Sequence, residues 1–118
     1  MNIFRIAAMT ASLGLAASHA HAAAERVKVL ENERLTITHV TYPPGEHQAA
    51  LHPPPGTGQV LVVLSPAEVE VNFQDGDKTW TEKGPVPEGK VWYIPPTLLH
   101  QFTNIGKTPF VFVVTTFK

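Results

Sequence analysis

The positions of proline and glycine constrain the fold of this chain more than any other feature of its sequence. All eleven prolines and seven of the eight glycines follow residue 22 and divide the chain into short segments. Strands of about four to eight residues fit between such breaks, whereas a stable helix needs a longer uninterrupted run. Because the segments are also rich in β-branched and aromatic residues, the sequence predicts an all-β domain.

Hydrophobic alternation predicts eight or nine short strands. Residues 35–41 alternate, so Leu35, Ile37 and His39 share one face, which we expect to point inward. Residues 59–64 are apolar after Gln59, as expected of a strand buried on both faces. Further strands are predicted at 26–30, 68–73, 78–81, 91–94, 100–103 and 110–117. This spacing is typical of a sandwich or a barrel.

The first 22 residues have the three parts of a secretory signal peptide. A head with one arginine, Met1 to Arg5, precedes an apolar run from Ile6 to Ala17, and Ala20-x-Ala22 fits a cleavage site. The run is too short to cross a hydrocarbon core of ~30 Å. We therefore predict a cleaved signal (1–22), a barrel domain (23–118), and a periplasmic or secreted product without a membrane segment. The alternative is an N-terminal helix of the domain.

Composition excludes several classes of function. Cysteine is absent, so neither a disulfide nor a thiol nucleophile is available. Ser65 is the only serine after residue 22, and it precedes a proline rather than lying in the elbow of a serine hydrolase. The formal net charge is −1 and the lysines are scattered, which argues against nucleic acid as a partner.

Two segments give the chain a family resemblance. Pro44-Gly45-Glu46 leads to His52 and the strand from Gln59, and later Pro95, His100 and Asn104 recur at fixed spacing. This arrangement resembles the two signature motifs of the cupin superfamily, in a small single-domain form. The resemblance implies a jelly-roll-like antiparallel β-barrel with its site in the interior.

The resemblance also implies a metal centre of three histidines and one glutamate, of which this chain keeps only part. His52 and His100 match two of the ligands. Pro54 stands in place of the second histidine, and Gln59 stands in place of the glutamate. A divalent ion such as Fe, Mn, Ni, Cu or Zn would therefore depend on His52, His100 and the weaker amide ligand Gln59.

Two other histidines could complete a site. His39 could join His52 and His100 around an ion or a ligand, or it could be a hydrogen-bonded core or rim residue. His47 lies at an odd offset from His52, so only a bulge would bring both to one face. The predicted ligand-binding residues are therefore His52, Gln59, His100 and His39, with His47 as a less certain neighbour.

Two functions fit these features. The first is an exported cupin that binds a small molecule in the barrel interior with weak or no catalysis. The second is a metal-dependent enzyme of the dioxygenase or isomerase type that uses a reduced histidine site. The resemblance also implies a possible homodimer formed through outer strands, with the apolar segment Pro109 to Phe117 as one candidate edge.

Overall fold

The computed structural model describes residues 23–48 and 50–118, so the predicted signal peptide lies outside the described residues. In this part of the chain there are eight strands and no helix, which confirms the all-β prediction. Accordingly, the described residues contain no helix long and apolar enough to span a membrane. The strands are β1 (Glu25–Glu31), β2 (Leu35–Tyr42), β3 (Gln59–Val63), β4 (Ala67–Asp75), β5 (Lys78–Val86), β6 (Val91–Ile94), β7 (Leu99–Asn104) and β8 (Phe110–Phe117).

The strands form two antiparallel sheets, one of five strands in the order β1-β2-β8-β3-β6 and one of three in the order β5-β4-β7. The inward faces of both sheets supply the core, as alternation on β4 illustrates. Val69, Val71 and Phe73 are buried, whereas Glu68, on the outer face of the strand, is exposed. The result is the jelly-roll-like arrangement that the family resemblance implied.

Aromatic side chains fill much of the space between the sheets. Phe102 of β7 packs against Phe110 and Phe112 of β8, with ring centroids 5.9 Å away in both cases. Tyr42 of β2 contacts the same two β8 rings. This cluster joins the two sheets, and each large aromatic ring buries a large apolar area.

The prediction that Leu35, Ile37 and His39 face inward is wrong. Val40 and Tyr42 are the fully buried residues of β2, so its inward face is the opposite one. The residues of β2 do alternate between two faces, as predicted. The inward face was chosen wrongly because the outer surface of the five-stranded sheet is also apolar, so hydrophobicity alone could not distinguish the two faces.

The segment from Pro109 to Phe117 is not an edge. Its strand, β8, lies in the middle of the five-stranded sheet and pairs with β2 on one side and β3 on the other. Its inward-facing residues Phe110, Phe112 and Val114 are buried, whereas the residues between them are half-buried, so the apolar run does not reflect burial of both faces. The edges of this sheet are β1 and β6.

Asn104 ends β7 and is fully buried. Its amide nitrogen donates to the carbonyl oxygens of Tyr42 (2.8 Å) and Thr108 (2.9 Å), and its amide oxygen accepts from the Gly106 N–H (3.0 Å). One side chain therefore satisfies three backbone groups and joins the turn after β7 to the end of β2.

We expect Asn104→Ala to lower the free energy of unfolding by about 3 kcal/mol, because it leaves these buried groups without partners. Asn72→Ala is the matched control. Asn72 is half-buried and bonds only to the side chains of Gln101 and Thr81, so its loss should cost less than about 1 kcal/mol. Urea unfolding of both variants measures the difference, and equal losses would contradict the role assigned to Asn104.

Candidate ligand site in the barrel interior

A cavity of about 240 Å³ opens between the two sheets beside the aromatic cluster. Its lining comes from both sheets and combines apolar with polar side chains. The apolar lining residues are Pro55, Leu61, Phe102, Phe112 and Val114. The polar lining residues are Arg26, Tyr42, Gln48, His52, Gln59 and His100.

An irregular segment brings two of the polar residues to the cavity. Gln48 and His52 both pair with β7: the Gln48 N–H donates to the Phe102 carbonyl (3.0 Å), and His52 and His100 exchange backbone hydrogen bonds of 2.9 and 3.2 Å. The chain advances four positions from Gln48 to His52, whereas their partners Phe102 and His100 are only two positions apart. This bulge-like irregularity keeps both Gln48 and His52 on the cavity side.

The Gln48 side chain makes two hydrogen bonds that fix its orientation. Its Oε1 accepts from the Phe102 backbone N–H at 2.7 Å, which only the oxygen of the amide can do. Its Nε2 therefore faces His52 Nε2, 2.7 Å away, and donates to it. His52 must then carry its lone pair on Nε2 and its proton on Nδ1, which lies 3.1 Å from the Pro53 carbonyl oxygen.

The His100 ring lies next to the His52 ring, with the two ring centroids 4.9 Å apart. Its side chain is buried, and its Nδ1 has no hydrogen-bond partner among the described residues. Burial, assisted by the nearby His52 ring, lowers the pKa of His100 from its ordinary value of 6.5 to about 4, although the Leu98 backbone partly opposes the shift. His100 is therefore a neutral ring at physiological pH.

Gln59 lies at the start of β3 on the same cavity wall. Its Nε2 donates to Thr116 Oγ1 at 3.1 Å, so its amide oxygen is the atom left to accept a hydrogen bond. The three residues predicted from the motifs, His52, Gln59 and His100, are thus brought together in one cavity. Their roles in binding stay predictions.

The structure does not bring His39 or His47 to this cavity. His39 is on the outer face of β2, where it pairs in register with Val27 and Val113. His47 is exposed and its Nδ1 lies 2.9 Å from the Gln48 carbonyl oxygen. His47 instead borders an adjoining surface depression beside Ala23 and Ala24. The irregular backbone places Gln48, and not His47, on the cavity side.

Sequence reasoning missed Gln48 and Arg26. Gln48 lies four residues before His52, an even offset, and the three prolines that follow His52 signalled irregular backbone nearby. Arg26 was a residue of an unremarkable alternating strand. Its pairing opposite Val40, which turns its side chain to the cavity side, depends on the β1–β2 register.

The donor set does not fit the metal centre that the family resemblance implies. Among residues 23–48 and 50–118, no group of three or more His, Asp or Glu side chains is placed to hold an ion. Pro54 is buried where a second histidine would be needed, and the Gln48 amide occupies the lone pair of His52. Two histidines and one amide do not make up the ligand count of such a site.

Comparison with known proteins agrees with the fold and the motif spacing. The family model described as "Cupin domain" matches residues 38–116, which is more than half of the chain. The chain therefore belongs to the cupin family. No match was found among curated proteins.

Solved structures show the same fold. A cupin domain protein of Bordetella pertussis Tohama I superposes with a TM-score of 0.63 at 23% identity, covering 81% of this chain and 94% of that one. An RmlC-like cupin with a double-stranded β-helix fold from Methanocaldococcus jannaschii gives 0.64 at 21% identity, covering 80% and 79%. An oxalate oxidase in complex with the substrate analogue glycolate gives 0.63 at 21% identity, covering 78% of this chain and 49% of that one.

The depressed pKa of His100 predicts a loss of stability in acid. The unfolded state takes up a proton as the pH falls through about 6.5, whereas the folded state resists protonation until about pH 4. The stability contributed by neutral His100 is thus complete above pH 6.5 and falls by up to about 3 kcal/mol on the way to pH 4. We expect His100→Gln to remove this component from the pH dependence of urea unfolding.

The control is His47→Gln, which changes an exposed histidine on the neighbouring segment. It should keep the wild-type pH dependence. An unchanged slope between pH 6.5 and pH 4 in His100→Gln would contradict the burial argument.

Proposed function

We propose that this protein is an exported cupin that binds a small molecule between its two sheets, without a metal centre of the family type and without catalysis. One observation carries the proposal: an interior cavity with apolar walls in which a few polar groups converge. Pockets of this kind, mostly apolar with a few oriented polar groups, are the usual form of small-molecule sites.

The size of the cavity suits a small ligand. An apolar protein cavity of about 150 Å³ holds a benzene molecule. A cavity of about 240 Å³ therefore has room for one ring and a small substituent. Tyr42 and Gln48, which border both the cavity and the surface depression next to it, mark the side from which a ligand would enter.

The chemistry of the cavity favours binding over catalysis. General acid–base catalysis needs a group that exchanges protons near the working pH. Gln48 holds the lone pair of His52 Nε2, and His100 titrates far below neutrality. Among the described residues that line the cavity there is also no carboxylate and no serine. A metal-dependent reaction has no specific support here, since likeness to oxalate oxidase at 21% identity shows the fold alone.

The signal-peptide pattern of residues 1–22 supports the export part of the proposal. Cleavage after Ala22 would release a domain that begins shortly before β1.

The binding proposal is tested by nuclear magnetic resonance with a mixture of small ring compounds. We expect chemical-shift changes at Phe102, Phe112 and their neighbours, unaltered by a chelator. Val114→Phe extends a side chain into the cavity and should abolish these changes. Val113→Phe, at the preceding residue of β8, whose side chain is on the outer face, should leave them unchanged.

Shifts confined to the outer surface, or shifts that persist in folded Val114→Phe, would contradict interior binding. Ligand binding that requires added metal and is lost with a chelator would contradict the metal-free site.

A further inference from the structure

We infer that the ligand is a small ring compound with a carboxylate, which lies against Arg26, Tyr42 and Gln48 while the ring packs on Phe102 and Phe112. This inference rests on the proposed binding function and names the chemical class that the cavity selects.

Arg26 is the only Lys, Arg, Asp or Glu side chain among the described residues that line the cavity, and it is exposed to solvent. Glu46 borders the adjoining depression together with Arg26 and Tyr42. His100 is neutral at physiological pH. Of these charges, the guanidinium is the one that lines the cavity itself, and it attracts an anion.

The polar groups near Arg26 present hydrogen-bond donors. Arg26 Nη2 donates to the Tyr42 hydroxyl oxygen at 3.2 Å, and the other guanidinium N–H groups extend from the same planar fork. Because burial raises the pKa of the Tyr42 phenol, that hydroxyl keeps its proton and can donate it. The Gln48 amide donates one N–H to His52, and its second N–H is available to donate to a ligand.

A carboxylate matches this set because it accepts several hydrogen bonds and can take two parallel ones from a guanidinium. An ammonium group would meet a like charge at Arg26 and has only donors of its own to offer. A neutral amide would satisfy the hydrogen bonds but would gain nothing from the charge.

The remaining walls accommodate a ring. Phe102 and Phe112 lie 5.9 Å apart between ring centroids and contribute aromatic faces, and Leu61 and Val114 complete the apolar surface. Aromatic pairs at this separation add to the gain from apolar burial.

The test compares three probes of the same size, benzoate, benzamide and benzylamine, by calorimetric titration of the purified protein. We expect benzoate to bind at least tenfold more tightly than benzamide, and benzylamine more weakly than either. Arg26→Gln should remove the preference for benzoate and leave benzamide binding within twofold. Arg34→Gln, at an exposed arginine between β1 and β2, is the matched control and should retain the preference.

The outcomes separate this inference from the proposed function. If benzamide binds as tightly as benzoate, or if Arg26→Gln keeps the preference, the carboxylate class is wrong while interior binding stands. If none of the three probes binds the wild type, both proposals fail. Salt-sensitive benzoate binding that is equal in Arg26→Gln and Arg34→Gln would indicate general surface attraction and would also overturn the inference.

Discussion

The geometry of the interior site depends on the hydrogen bond between the Gln48 amide and His52 Nε2. The Phe102 backbone N–H fixes the direction of the amide, and the amide in turn fixes which nitrogen of His52 carries the proton. Together with the backbone hydrogen bonds of His52, these bonds join Gln48 and His52 to β7. The Nε2 lone pair of His52, a residue that the family resemblance implied as a metal ligand, is here satisfied within the protein.

Much of the architecture could be predicted from the sequence because it depends on local alternation. Strands such as residues 68–73 have one apolar and one charged face, and the structure buries the apolar one. Strand β2 was located correctly, but its inward face was predicted wrongly, because apolar residues occur on both of its faces, as Ile37 and Val40 show. The direction of a strand depends on what covers each side of the sheet, and that is a property of the whole molecule or of its assembly.

The candidate site was predictable to the extent that its residues occur in motifs. His52, Gln59 and His100 were found by spacing and do converge. Gln48 was not found, because its position depends on an irregular pairing in which an offset of four positions, Gln48 to His52, faces an offset of two on β7. Arg26 was not found, because only the pairing of an edge strand brings it beside Tyr42. Both depend on register, which a single sequence leaves open when no turn specifies it.

The central place of β8 also affects when the protein can fold. Strand β8 follows β2, β3 and all three strands of the smaller sheet along the chain, and β2 and β3 both pair with it, so the five-stranded sheet has no middle until β8 has joined it. Contacts between distant parts of a chain form slowly, because a long loop must close first. The completion of the five-stranded sheet is therefore expected to be a late step of folding.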